Sequence, residues 1–371
     1  MTTLTEKDFE FTYASPVAET LEQVKSIIKA HFEIRDWQAV EIIMAAAVAH
    51  YSEGEMLWLR LIGPSRSGKT ELLRAIATYI GCAEMEVITP AAIRGGFKGA
   101  PKLLNRINNK LVITKDFAPL LTSRKDAKNE IFGLLRNVKD GHLVSDFGST
   151  AGHLDQTVKF DWILATTPAL EQQRVLESLL GERFIDLRWV PGNREEMAYQ
   201  AGHNNPYLKE IRKSIAANVC SLLARAAQSD FEPLSDSHIK QISRYADTTA
   251  ILRTPVQRDR LREIVGFPEP EIATDLTQGL CRIVQGLLTL GIEDYEPYLN
   301  RLIWDSMVRN RSVVLKCLVE GDTSAAQIAT KTTLAERTVE YVFEDLRLLK
   351  VMKTDNQLCM QLHIPQIYKD L

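Results

Sequence analysis

The stretch Met56-Leu57-Trp58-Leu59-Arg60-Leu61-Ile62-Gly63-Pro64-Ser65-Arg66-Ser67-Gly68-Lys69-Thr70-Glu71 decides the fold. Its first half is nearly continuously apolar, as a strand covered on both faces should be. Its second half, Gly63–Thr70, fits GxxxxGK[ST] at every fixed position. The residues that follow, Thr70–Ile80, read as a helix closed by Gly81. Chemistry explains the spacing. Glycines let the backbone wrap closely round a phosphate with its N–H groups pointing inward. The following helix presents its positive end to the same anion. Lys69 can reach the β- and γ-phosphates of ATP, and the Thr70 hydroxyl can ligate Mg²⁺. Gly63, Pro64, Ser65, Arg66, Ser67, Gly68, Lys69, Thr70 and Glu71 are therefore the candidate nucleotide-binding residues.

Outward from this loop, helices and strands alternate. Strands are expected at Met85–Thr89, Lys110–Thr114 and Trp162–Thr166. A helix is expected over 126–138, then a turn at Asp140-Gly141 and a hairpin-like segment over His142–Asp155. On the N-terminal side, 20–51 reads as helical, with Leu21, Val24, Ile27 and Ile28 on one face and an Ala-rich apolar run from Val40 to Val48. This alternation predicts an α/β fold, a parallel sheet with helices on both faces. From 207 the pattern turns helical, over 207–228, 236–247 and 271–290, and suggests a helical lid. The expected division is an N-terminal helical segment (1–52), an ATPase core (53–205), the lid (206–300) and a C-terminal winged helix (301–371).

A phosphate loop needs a carboxylate for Mg²⁺ at the end of a neighbouring strand. Asp116, after Leu111-Val112-Ile113-Thr114-Lys115, is the candidate, so Thr70 and Asp116 form the expected metal pair. Phe117 follows, where many such enzymes carry a water-orienting glutamate. Glu130 or a residue of a neighbouring subunit is an alternative, and slow hydrolysis is another. Thr167, with Thr166 as the alternative, ends an apolar strand and suits a polar sensor of the γ-phosphate. Arg183, in Leu180-Gly181-Glu182-Arg183-Phe184, carries a guanidinium suited to charge on a transferring phosphoryl group, and its resemblance to the arginine of ring ATPases implies that it acts on the nucleotide of the next subunit. Lys69, Asp116, Thr167 and Arg183 are the catalytic candidates.

Together these pieces resemble a broad group of AAA+ ATPases of bacteria and phages, helicase- or primase-like and distantly similar to MCM helicases. Besides the phosphate loop, the resemblance rests on Ile113-Thr114-Lys115-Asp116-Phe117, Ala165-Thr166-Thr167-Pro168-Ala169 and Leu180-Gly181-Glu182-Arg183-Phe184. Leu252-Arg253-Thr254-Pro255-Val256-Gln257-Arg258-Asp259 adds to it. The resemblance implies a homo-oligomer that forms a ring, such as a hexamer, and uses ATP and Mg²⁺ to act on DNA. In such a group Lys-Asp-Phe is usual, so Phe117 does not by itself imply a dead enzyme. Asp275 stands where a basic lid residue is expected, with Arg253 or Arg258 as replacements.

Nucleic acid has three candidate surfaces, of which the hairpin-like His142–Asp155 segment offers only His142 and His153 as contacts. Residues 94–128 are rich in basic side chains, and a helix opened by Pro101 would align Lys102, Arg106 and Lys110 on one face. The winged helix is built from Val313–Leu318, a Thr323- or Ser324-capped helix, the helix Ala335–Leu349, and a wing of Val351–Lys353 and Leu358–Leu362. Its third helix carries Glu336, Glu340, Glu344 and Asp345 beside Arg337, so a protein partner suits it as well as DNA.

Bulk properties narrow the class further. The chain has 371 residues and a net charge of −3, so DNA binding would need a local patch rather than a global field. Five cysteines are scattered without a metal or disulfide pattern. No apolar run reaches the roughly 20 residues of a membrane span. A cytoplasmic protein with no membrane partner is expected. The alternative to an ATP-driven motor is an ATP-dependent scaffold or regulatory switch that recruits a protein with little hydrolysis.

Overall fold

The computed structural model describes residues 19–94, 103–121, 124–146, 153–169 and 183–359. Two helices come first, α1 (Leu21–His31) and α2 (Trp37–Ala49). The Ala-rich run of α2 is buried from Ala39 to Ala49, small side chains allowing close packing all round it. Then β1 (Trp58–Ile62) leads through the glycine loop into α3 (Lys69–Ala77). β2 (Cys82–Glu84), α4 (Pro90–Arg94), α5 (Leu103–Ile107), β3 (Leu111–Thr114), α6 (Ala118–Leu121) and α7 (Lys125–Lys139) follow. β4 (His142–Asp146) and β5 (His153–Thr157) form an antiparallel pair before β6 (Asp161–Thr166) and β7 (Ile185–Arg188).

Five of these strands form one parallel sheet in the order β2-β3-β6-β1-β7. The sheet and its flanking helices bear out the α/β expectation. β1 sits between β6 and β7, with Ile62 paired to Thr166 on one side and to Arg188 on the other. β6 in turn separates β1 from β3, so the ends of all three strands open at one edge of the sheet. Below that edge, Trp58, Phe160, Trp162 and Phe184 form an aromatic cluster. Such large apolar rings carry much of the burial energy of a core.

Two expectations need correction here. The second strand lies at Cys82–Glu84, not Met85–Thr89. Met85 still donates its N–H to Ile113 at 3.0 Å, but Val87 is exposed and the chain turns away. The apolar spacing of Met85, Val87 and Ile88 reflects a loop that buries two of the three. The helix after the loop also stops early, at Ala77 rather than Ile80, and Ile80 is left exposed. β7 has no counterpart among the expected strands. Asp186 and Arg188 interrupt its apolar pattern, and Asp186 is held by a two-point pairing with Arg60 of β1 at 2.8 and 2.9 Å.

After β7 come α8 (Arg194–Asn204), a 3-10 turn (Asn205–Tyr207), α9 (Leu208–Ala226), α10 (Asp236–Arg253) and α11 (Thr274–Thr289). They are followed by α12 (Glu296–Ser306), α13 (Arg309–Val319), α14 (Ala325–Thr332) and α15 (Glu336–Leu348). The chain divides into two compact units. One holds residues up to 233 with 282–293; the other holds 234–281 with 294 onward. The expected lid segment, 206–300, is thus shared between them.

In the second unit, Val314, Leu315, Ile328, Val339, Val342 and Leu346 share one core. Ser324 caps α14 by accepting the Gln327 N–H at 3.2 Å. Thr333, in the left-handed region at φ 60°, turns the chain into α15. Met352 and Leu358 then form an antiparallel bridge, and the rest of the expected wing, from 360, lies outside the described residues. No helix among the described residues is long and apolar enough to cross a membrane.

Candidate phosphate-binding site

The loop between β1 and α3 closes tightly on itself. Gly63 donates its N–H to the Thr166 carbonyl at 3.2 Å, which fixes the loop against the end of β6. Arg66 and Gly68 both lie at positive φ, 60° and 92°. Gly68 meets that demand at no steric cost. A side chain at Gly63 has no room, because its Cβ would fall 2.9 Å from the Trp189 Cβ. Ser67 points inward and donates to the Pro64 carbonyl at 2.7 Å.

Lys69 folds into the loop. Its ammonium donates to the carbonyls of Gly63 at 2.8 Å and Pro64 at 2.6 Å, and to Ser67 Oγ at 3.1 Å. The residue is buried. Burial pulls its pKa down to about 8, and the Asp116 carboxylate partly opposes that fall. A cation held among neutral oxygens in a glycine loop fits a phosphate, which would restore the stability of its charge.

Asp116 lies just past β3, exposed, with Oδ1 accepting the Ala118 N–H at 2.9 Å. Thr70 is exposed at the start of α3. A hydroxyl and a carboxylate, both hard oxygen donors, fit Mg²⁺. Phe117 is a core residue: it is buried, meets Trp162 edge-on at 5.7 Å and donates its N–H to Ala165 at 2.8 Å. Thr167 is half-buried at the end of β6. Beside it, Thr166 is buried, and its hydroxyl has no hydrogen-bond partner among the described residues. Glu130 is half-buried on α7.

The Arg183 guanidinium lies 3.0 Å from Asp140 in the turn after α7, with 21% of its side chain exposed. Gly181 and Glu182 lie outside the described residues. Arg253 and Arg258 are engaged inside the second unit. Arg253 pairs with Glu271. Arg258 bonds Glu344 at 2.8 Å and Asp345 at 2.7 Å on α15.

The basic stripe expected on one helical face does not form. α5 ends at Ile107, so Lys110 falls beyond it and donates to the Ile80 carbonyl at 3.4 Å. Arg106 is exposed, Lys115 is paired with Glu84 and Glu86, and Lys128 is buried. Lys98 and Lys102 lie outside the described residues.

Two residues of this site carry no motif. Trp189, after β7, donates its indole N–H to the Ser67 carbonyl at 2.7 Å. Arg212 of α9 grips Glu71 with Nε at 2.8 Å and Nη2 at 2.6 Å. The apolar spacing of Phe184, Ile185, Leu187 and Trp189 was the available signal for the first. Nothing local marks the second, because its partner lies 141 positions away.

Loop and strand order together make an α/β fold, a five-stranded parallel sheet with a glycine-rich loop after β1. No protein-family model matches the chain, and no curated protein matches it by sequence. The solved structure of a Cytophaga hutchinsonii protein, provisionally described as an ATPase, is similar at a TM-score of 0.47 and 10% identity. The match covers 88% of this chain and 93% of that one. Likeness at that level leaves the function to be read from the residues themselves.

Proposed function

We propose that this chain is an oligomeric AAA+ ATPase that hydrolyses ATP to act on DNA, as a helicase-like or DNA-remodelling enzyme. The observation that carries the reading is the Lys69 ammonium, buried in a glycine loop among carbonyl oxygens and within the field of Asp116. Lys69 and the loop amides hold the phosphates, and Thr70 and Asp116 hold Mg²⁺. Bound there, Mg²⁺ would neutralise charge on the β- and γ-oxygens. Thr167 senses the γ-phosphate, and the Thr166 hydroxyl beside Gly63, without a hydrogen-bond partner among the described residues, gives the alternative sensor support. Arg183 acts on the nucleotide of a neighbouring copy. The three helices and bridge of residues 309–358 support a winged helix as the DNA- or partner-binding module.

A second reading has its own support. Phe117 occupies the core where a water-orienting carboxylate would stand. This suits an ATP-dependent scaffold or switch that recruits a protein and hydrolyses slowly. ATP turnover against protein concentration, with and without single- and double-stranded DNA, separates the two. Steep concentration dependence, stimulation by DNA, and loss of turnover in Lys69→Ala and Arg183→Ala support the motor. ATP binding with negligible turnover at every concentration supports the scaffold, and absence of ATP binding overturns both.

A further inference from the structure

The first turn of α3 carries a charge at odds with a phosphate site. Glu71 follows Thr70 directly, so its carboxylate stands within about 10 Å of the loop amides, given a rise of 1.5 Å per residue. A carboxylate in the first turn stabilises an empty helix by facing its positive end. The same charge repels an incoming polyphosphate. At an effective dielectric near 20, one unit charge acting on another about 8 Å away changes a binding constant by roughly tenfold or more.

Arg212 answers that charge. Its Nε and Nη2 donate to the two Glu71 oxygens separately, at 2.8 and 2.6 Å, a fork on a carboxylate. Glu71 keeps 23% of its side chain exposed and Arg212 37%. Arg74, one turn along α3, stands at 3.9 Å, beyond hydrogen-bond distance. α9 therefore brings a full positive charge into hydrogen-bond contact with the carboxylate beside the loop, in addition to the charge of Arg74.

We propose that Arg212 is a positioning residue of the nucleotide site, one that cancels the Glu71 charge beside the phosphate loop and so sets ATP affinity without touching ATP. This rests on the reading of Gly63–Thr70 as an ATP site. The two are separated by titrating the full-length protein with ATP and Mg²⁺ in a calorimeter, at low and high salt. If the wild type binds no ATP, the parent reading fails. If it binds, Arg212→Ala weakens binding by about tenfold at low salt, and the loss shrinks as salt screens the exposed carboxylate.

Glu71→Gln binds more tightly than the wild type, and Arg212→Ala combined with Glu71→Gln recovers the affinity lost in the single arginine variant. Arg212→Lys, which keeps the charge but not the fork, stays within a few-fold of wild type. An Arg212→Ala protein with unchanged affinity overturns the proposal. So does a double variant as weak as Arg212→Ala, which would place Arg212 on the nucleotide itself or make it a mere prop. Should Arg212→Ala fail to fold, Arg212→Lys decides: retained affinity supports charge cancellation, and loss beyond about tenfold overturns it.

Discussion

Trp189 donates its indole N–H to the carbonyl of Ser67 at 2.7 Å, tying the end of β7 to the middle of the Gly63–Thr70 loop. The same residue's backbone N–H bonds Ile62 at 2.8 Å, so one residue holds the strand before the loop and the loop itself. Its Cβ and carbonyl also fill the space beside Gly63. A phosphate loop gains affinity from being held ready, because ordering it on binding would cost free energy.

Trp189→Phe keeps much of the packing and removes the donor. The lost hydrogen bond is worth about 1 kcal/mol, so ATP binding should weaken by up to about fivefold, with a melting temperature lowered by no more than a few degrees. Fluorescence titration and thermal melts measure both. Unchanged ATP affinity in a folded variant would mean that the tie does not hold the loop.

Lys69 gives the loop a pH signature. Burial lowers its pKa from 10.5 to about 8 in the ligand-free fold. The unfolded chain then holds more protons than the folded one between these values, so stability rises with pH across that window. Below pH 8 the buried ammonium costs stability. Lys69→Met removes that cost and should raise the melting temperature of the ligand-free protein at pH 7, with the gain fading towards pH 10.5 while ATP binding is abolished. A variant less stable than wild type at pH 7 would show that the loop oxygens already repay the burial of the charge.

Much of this was legible in the chain because the signals were local. Gly63–Thr70 carries its own spacing, and the runs Leu111–Thr114 and Trp162–Thr166 are apolar up to their closing threonines, as suits strands at the centre of a sheet. Edges were harder to read. β2 and β7 are short, each has a sheet neighbour on one side, and polar residues enter their patterns. The Glu71–Arg212 pair, the Trp189 tie and the core position of Phe117 depend on contacts between distant segments, which periodicity does not encode. α5 ends at Ile107 although the spacing of Lys102, Arg106 and Lys110 suits a helix, since Leu111 must already enter β3.

Asp161 anchors the opposite end of β6. Its oxygens accept from Arg282 at 2.7 and 3.0 Å, from His50 Nδ1 at 2.8 Å and from the Leu57 N–H at 2.6 Å. Burial opposes its ionisation, but the bonds from His50 and Arg282 win and hold its pKa below the usual 3.8. The stability it contributes is present above that value and is lost as pH falls through the lower, folded value. Asp161→Ala leaves Arg282 buried without its carboxylate and should cost about 3–5 kcal/mol at pH 7. Urea unfolding at pH 7 and near pH 3 checks it: the difference from wild type should narrow in acid, and an equal difference at both would sink the ionic account.

Gly286 lets α11 lie directly on α2. A Cβ there would fall 2.1 Å from the Ala45 carbonyl oxygen and 2.8 Å from its carbon, both backbone atoms that no rotamer change can move. Alanine is the better helix former by about 1 kcal/mol, so propensity alone would favour Gly286→Ala. Overpacking typically costs about 1–3 kcal/mol, and a clash of backbone with backbone belongs at or beyond the upper end. Net destabilisation by about 2 kcal/mol or more is expected in urea. Gly133, inside α7, is the matched control, because nothing lies within 4 Å of its Cβ position. Gly133→Ala should therefore stabilise the protein by about 0.5–1 kcal/mol. The two substitutions are chemically identical and differ in what the new methyl meets. If both moved stability in the same direction by similar amounts, the close approach of α11 to Ala45 would not be a feature of the folded protein.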